Sequence, residues 1–524
     1  MNNLKNKTAK TLKWTLIDRV LQQLLYAVTG IVLARMLSQT DFGLVGAVLV
    51  FQAFASLLID SGFSFALIQR KEPTQTDYST VLWFNLGAAA VLYTILWFAA
   101  PLIALCFQND LRLIPLSRVM FLSIILNASA IVQTNRLMKQ MNVRPVTVSN
   151  AAGLAAGAIA GIWLAVSGFG AWAIVWQTLV AAAVKSAILW LGCSWRPSPV
   201  FSWSALRSFF GIGGRMMFTS FLNTLFLNLY SLFIGAFVGL RSLGFYTQSD
   251  KWSKMGIMSI SQTLTSSFLP PLSAVQDDRD RFRRMTSKMN RFTAYILFPA
   301  MLGLMALATP VFHLLFGTKW DPSILLFQLL LLRGVFTVLN ALYNNYLLAL
   351  GHARSIMWLE ILRDSVAVVA LAITFPYMGL ATADDPVYGL AILLWGQLAS
   401  SAITYVATLI VVCRHVEIRP WNYLLDLAPY AALTLAIIPL MLWIGSLISS
   451  PLLQLLAETA VALVLYVGIN RLLGSRIQTD VFAFARYCPT SEEKDTGITP
   501  EGYRELLAAC DTKFKAYEAA GCET

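Results

Sequence analysis

The chain has 524 residues, 57% of them hydrophobic and 13% charged, with a formal net charge of +12 and a mean hydropathy of +0.65. That balance lies far from a soluble globular composition. Apolar runs repeatedly exceed the roughly 20 residues that cross a bilayer as a helix, while alternating ten-residue strands of the barrel kind are absent from the pattern.

In chain order, Lys5, Lys7, Lys10 and Lys13 lead directly into an apolar run with no A-x-A-like cleavage site, so the first helix is expected to stay in the membrane. About fourteen spans follow from length and apolarity. The first six cover residues 13–36, 43–68, 79–105, 113–137, 146–166 and 171–192. The next six cover 209–238, 252–272, 292–316, 324–350, 356–375 and 387–412, and a last pair covers 424–448 and 452–473. The expected fold class is therefore all-α, a polytopic membrane protein. It comprises an N-terminal six-helix lobe (1–195), a C-terminal six-helix lobe (196–415), an extra two-helix hairpin (416–474) and a cytoplasmic tail (475–524).

Lys and Arg fall mainly in alternate loops, which predicts an N-in, C-in orientation because short cytoplasmic loops carry the positive excess. The net charge is then mostly this inside bias, and no nucleic-acid partner is implied. The densest run, "AVQDDRDRFRRMTSKMNR" (274–291), reads either as a topogenic loop or as a surface for anionic lipid headgroups or a cytoplasmic partner. The tail ends in "TPEGYRELLAACDTKFKAYEAAG" (499–521), which reads as one amphipathic helix capped by Thr499.

Six cysteines without a C-x-x-C and three scattered histidines give no metal-ligand spacing, so neither metal nor cofactor is expected. Nucleophile-elbow, Walker and H-E-x-x-H patterns do not occur, and the outer loops are too short to carry catalytic carboxylates. A transporter is expected rather than an enzyme.

Internal repetition supports that reading. The polar break at 38–41 is echoed at 238–252, with Gly43 and Gly244 each following a short polar turn. "PLIALCF" (101–107) is echoed by "PVFHLLF" (310–316), each ending the third helix of a six-helix set. An even number of spans per set makes these parallel repeats related by an axis along the membrane normal.

These and further stretches resemble the Wzx-type polysaccharide exporters, in particular the colanic-acid-exporter-like branch, of the multidrug, oligosaccharidyl-lipid and polysaccharide (MOP) flippase superfamily. The resemblance is carried by "LARMLSQTDFGLVGAVLVFQAFASLLIDSGFSFALIQRKEPTQTDYSTVLWFN", "SGFGAWAIVWQ" (167–177), "IGAFVGLRSLGFY" (234–246), "LPPLSAVQDD" (269–278) and "LLFGTKW" (314–320). It spans roughly residues 10–420 and departs from the pattern at "KQMNVRPVTVSN" (139–150), where an aromatic is expected before the basic residue. It implies two lobes around a central cavity in the bacterial inner membrane. The implied activity is export of undecaprenyl-pyrophosphate-linked oligosaccharide to the outer leaflet by alternating access. Membrane lipids, and other polysaccharide-assembly proteins, are the further partners it suggests.

A diphosphate head crossing about 30 Å of hydrocarbon calls for cations and hydroxyls in a solvated path. Arg333 lies too deep to snorkel and is expected either to bind the pyrophosphate or to form a structural ion pair. Arg19 either faces the cavity with Asp60 as partner or snorkels to the inner headgroups, and Arg215 has the corresponding shallow position in the second half. The polar helix at 252–272 carries Lys254, Ser259, Gln262 and Ser266, which either contact substrate or serve small-residue helix packing. Glu360, Arg363 and Asp364 share one helix face. There a carboxylate either binds a coupling H+ or Na+ or belongs to a self-neutralised cluster. The competing functions are a cation-coupled multidrug antiporter of the same superfamily and a membrane enzyme of lipid-linked glycan assembly.

Overall fold

The computed structural model describes residues 2–60, 67–68, 70–380, 387–475 and 477–479. The helix read at 499–521 lies outside the described residues, as do the side chains of Asp60, Arg215 and Ser266. Among the described residues there are helices and turns and no strand.

The first half comprises α1 (Asn2–Met36), α2 (Gln39–Asp60), α3 (Gln75–Cys106), α4 (Leu113–Met120), α5 (Leu122–Lys139), α6 (Arg144–Val166) and α7 (Trp172–Gly192). The second comprises α8 (Trp203–Phe233), α9 (Leu240–Ala274), α10 (Arg279–Ala306), α11 (Ala308–Leu315), α12 (Asp321–Ala349), α13 (Ala353–Thr374) and α14 (Tyr388–Val416). The hairpin of α15 (Pro420–Ser446) and α16 (Pro451–Leu472) packs on α10 and α11.

The fourteen expected segments fall on helices wherever they are described. Eleven helical stretches, α4 and α5 forming one of them, are long and apolar enough to cross a membrane. The bent pair α10 and α11, which meet at 62°, brings the number to twelve. The two remaining segments are α9 and α13, which carry the hydroxyl-rich stretch and the Glu360, Arg363 and Asp364 group. Both contribute one face to a polar cavity, while α13 also exposes an apolar face of Trp358, Ile361, Val369 and Ile373. Helix α1 exposes Leu16, Val20, Leu24 and Val28. Their four-residue spacing makes one apolar ridge suited to acyl chains.

Local chemistry fixes the helix ends. Thr74 accepts from the Asp77 N–H while Asp77 accepts from the Thr74 N–H, a capping box that starts α3. Gly239, at φ 124°, allows the chain to turn between the π-helical residues Ile234–Val238 and α9, a conformation that L-residues rarely adopt. The basic run at 274–291 is helical over most of its length and docked. The Asp278 side chain caps α10, Arg283 pairs with Glu417 at 2.9 Å, and Arg291 pairs with Asp426 at 2.6 Å.

The two halves meet where α2 crosses α9. A Cβ on Gly43 would collide with the Leu240 carbonyl, and a Cβ on Gly244 with the Gln39 carbonyl. A shift of 201 residues carries Gln39 to Leu240 and Gly43 to Gly244, so the two contacts are reciprocal. The loops after "PLIALCF" and "PVFHLLF" behave alike. Phe107 and Gln108 press on Gly235 and Gly239 at the end of the other half's first helix. Lys319 Nζ donates to the Leu37 carbonyl at 2.7 Å, and Trp320 Nε1 to the Ala34 carbonyl at 2.9 Å. Each half thus grips the other on the membrane face opposite the N-terminus, here called the far face. Trp320 is fully buried there between the rings of Phe42 and Phe245.

Candidate functional site

Within the second half, α8, α9, α12, α13 and α14 surround a cavity of about 270 Å³. Each helix contributes a stripe at helical spacing: Tyr246, Asp250 and Lys254 from α9, Arg333, Thr337 and Asn344 from α12, and Glu360, Arg363 and Asp364 from α13. The three-to-four-residue repeat turns single polar residues into one continuous wall.

Arg333 is the deepest of these charges. It stands about 18 Å along α12 from the far-face end and about 24 Å from the other. Its Nε is buried without a hydrogen-bond partner, and no carboxylate lies within ion-pair distance of it among the described residues. Buried polar atoms of Tyr230 (the hydroxyl) and of Asn340 and Asn344 (the Oδ1 atoms) likewise lack partners on the same lining. A lone cation near the middle of a bilayer costs about 2.5–3.5 kcal/mol on insertion scales, so it is retained where it faces water or an anion.

The other charges are committed to one another. Lys254 Nζ is 2.6 Å from Asp250 Oδ2, one turn back on α9. Arg363 pairs with Glu360 and, at 2.9 Å, with Asp364, while the Asn344 amide donates to Glu360 at 3.4 Å. The cavity therefore holds three cations and three carboxylates, a mixed lining rather than a purely cationic one. Its imbalance is local: the α13 group has one carboxylate more than its cation, and Arg333 is the opposing unpaired charge.

Arg333, Lys254, Glu360 and Asp364 are thus brought together, and Arg363 joins them. Arg19 is exposed on α1 and lines none of the cavities described. Ser259 is exposed, donates to the Met255 carbonyl at 2.8 Å, and borders a separate apolar groove with Trp252 and Phe316. Gln262 is exposed and outside the cavity lining.

Most described hydroxyls of α9 bond to backbone carbonyls, Ser249 to those of Phe245 and Ser323 and Ser253 to that of Asp250. They serve close packing against α2 and α12, one of the two roles expected of them. Residues that sequence reading passed over are Asn340 and Asn344 on α12 and Gln397, Ser400 and Thr404 on α14. The available signal was a polar stripe at three-to-four-residue spacing inside spans otherwise read as uniformly apolar.

The profile of the polysaccharide biosynthesis protein family matches residues 32–325. The chain is 28% identical over 68% of its length to the succinoglycan biosynthesis transport protein ExoT of Rhizobium meliloti, covering 72% of that protein. It is 26% identical over 64% of its length to the lipopolysaccharide biosynthesis protein WzxC of Escherichia coli, covering 68% of it. Among solved structures, the lipid II flippase MurJ in an inward closed conformation superposes with a TM-score of 0.67 at 13% identity, over 88% of this chain and 99% of that one. An inward-facing multidrug resistance MATE transporter gives 0.56 at 15% identity, over 77% of this chain and 98% of that one. Those two likenesses speak for the fold. With the family profile spanning more than half of the sequence, the chain belongs to the polysaccharide biosynthesis protein family.

Proposed function

We propose that the protein moves an undecaprenyl-pyrophosphate-linked oligosaccharide from the cytoplasmic to the outer leaflet of the bacterial inner membrane, by alternating access, for surface polysaccharide assembly. The observation that carries this reading is Arg333, an unpaired guanidinium at mid-depth in a polar cavity. A planar fork of N–H donors matches phosphate oxygens in a bidentate manner, and a low-dielectric surrounding strengthens the pair. Lys254 can exchange Asp250 for a second phosphate oxygen. The partnerless atoms of Tyr230, Asn340 and Asn344 can hydrogen-bond the phosphate or the first sugar.

The reciprocal grip on the far face leaves the other side as the side of loading in this state. With the N-terminus inside, that side is cytoplasmic. Arg19, exposed near the end of the Lys13–Met36 span on that side, then attracts the anionic head, and Arg215 is its counterpart by sequence position in the second half. Coupling is assigned to the α13 group, where Glu360 or Asp364 takes up H+ or Na+ because Arg363 neutralises only one of them; Asp60 is the candidate on the first half.

Deletion of the gene in its host tests this. The expected result is loss of surface polysaccharide, with the lipid-linked oligosaccharide accumulating in the cytoplasmic leaflet. Normal surface polysaccharide after deletion would refute the reading. The cavity carboxylates favour one rival, a cation-coupled drug antiporter, and heightened drug sensitivity with normal polysaccharide would establish it instead.

A further inference from the structure

The first half contains a second cavity, of about 290 Å³, between α1, α2, α5, α6 and α7. Its polar lining is dominated by carboxamides: Gln22, Gln52, Asn127, Asn150 and Gln177, with the ammonium of Lys185. A neighbouring cavity of about 450 Å³ shares Asn127 and Lys185 with it, so the polar surface continues along the half. Amides and a lysine inside membrane-spanning helices are costly unless they face water or a ligand.

The helices are built to present these groups. Gly153 and Gly157 on α6 face the backbone of α7 so closely that a Cβ at either would lie 2.6 Å from the Ala181 carbonyl or 2.5 Å from the Gln177 carbonyl. That contact fixes α7, whose residues 177, 181 and 185 then fall on one cavity-facing stripe. Some amides are already engaged: Gln22 donates to Asp18 at 2.7 Å, Asn150 to Asp18 at 3.2 Å, and Gln52 to Ser123 at 3.0 Å. Others are free. Among the described residues the side chains of Asn127 and Gln177 have no hydrogen-bond partner, Lys185 has no ion-pair partner, and Gln52 Oε1 is buried without one.

The chemistry of this lining selects its ligand. A carboxamide offers a donor and an acceptor side by side, the pairing that vicinal hydroxyls require, since each hydroxyl also gives one hydrogen and takes others. A cationic drug would meet the Lys185 ammonium and no carboxylate on the lining, since Asp18 lies outside it and accepts from Gln22 and Asn150. A pyrophosphate would find only one cation. We infer that this first-half cavity is a glycan subsite, which hydrogen-bonds sugar hydroxyls through Asn127, Gln177 and Gln52 and holds an acidic sugar substituent at Lys185. It rests on the proposed function and divides the substrate: the diphosphate goes to Arg333 in the second half, the oligosaccharide to the amides of the first.

The test uses the purified full chain in nanodiscs and two probes. One is the oligosaccharide released by mild acid from the lipid-linked pool of the host, and the other is inorganic pyrophosphate. Binding is read by calorimetry for the wild type, Asn127→Leu, Gln177→Met and the double variant, each checked by its thermal unfolding midpoint. The wild type is expected to bind both probes. The double variant should bind the oligosaccharide at least about tenfold more weakly, the loss expected for two or more hydrogen bonds, with pyrophosphate affinity unchanged.

Oligosaccharide affinity at the wild-type level in the double variant would overturn the inference. So would an equal loss of both probes at an unchanged unfolding midpoint, since the amides would then act on both ligands alike rather than on the glycan. A wild type that binds pyrophosphate but not the oligosaccharide would overturn the subsite and leave the proposed function standing. A wild type that binds neither would remove both.

Discussion

Replacing Gly43 by alanine tests whether the far-face grip is a closed state that the two halves must leave. In the closed arrangement the added methyl would overlap the Leu240 carbonyl, and real Cβ atoms essentially never approach other heavy atoms closer than 3.0 Å. The colliding atom is backbone of a packed helix, so no side chain can swing aside. The crossing of α2 and α9 must open by roughly 1 Å or more. Overpacking of this kind costs about 1–3 kcal/mol. At about 2 kcal/mol the ratio of closed to open molecules shifts about thirtyfold, provided the open state is free of the clash. Alanine also improves helix propensity over glycine, so the helices themselves are not weakened.

Spin labels at Leu111 and Leu380, both exposed near the far face, allow the halves' separation to be read by pulsed electron resonance. The wild type should give one short distance population, and Gly43→Ala a second, longer one. Gly244→Ala should do the same, because it meets the Gln39 carbonyl at the reciprocal position. The double variant should open scarcely further than either single variant, since one separation relieves both clashes. An unchanged distance distribution in folded Gly43→Ala would refute the reasoning.

Three further outcomes are expected. Gly157→Leu should lower the thermal unfolding midpoint by driving α6 from α7, while Gly87→Leu, whose Cβ meets nothing within 4 Å, should leave it nearly unchanged; equal effects would contradict the packing account. In the far-face loop, the Arg112 guanidinium, hydrogen-bonded to Asp110 at 2.6 Å, holds that carboxyl below its ordinary range. The resulting stability is present above the ordinary carboxylate pKa and is lost as the pH falls through the lowered folded value. The midpoint difference between wild type and Asp110→Asn should therefore shrink on acidification, and a gap that does not change with pH would count against the pair. Lys319→Met should weaken the far-face grip by removing the hydrogen bonds from Nζ to the Arg35 and Leu37 carbonyls, again widening the Leu111 to Leu380 distance.

Much of this architecture is legible in the sequence because bilayer thickness imposes span length directly. The two spans that fall short on apolarity, α9 and α13, are the ones whose polar residues had marked them out. Gly43 and Gly244 could be matched as turn residues, but their mutual contact could not be read, since it depends on how the halves cross. Arg333 was recognisable from depth alone. Whether it had a counter-ion was not, because the acidic groups of the same cavity lie on other helices, where they pair with Lys254 and Arg363. The hydroxyls of α9 could be read for substrate contact or for packing, and composition does not distinguish the two: the described ones that bond do so to backbone carbonyls. The small-residue series Gly153, Gly157 and Gly161 was present as a four-residue repeat and predicts a close helix pair. Its consequence, the amide-lined cavity, needs five helices in place.

The most direct measurement is translocation in reconstituted vesicles. Undecaprenyl-pyrophosphate oligosaccharide is placed in both leaflets, and its consumption by a membrane-impermeant glycan oxidant is timed. Wild-type protein should expose the inner-leaflet pool within the assay. Arg333→Gln should slow that exposure by about ten- to hundredfold, the loss of a charge-assisted phosphate contact, and Arg333→Lys should restore part of it. A wild type that leaves the inner pool protected, or an Arg333→Gln variant as fast as the wild type, would contradict the account.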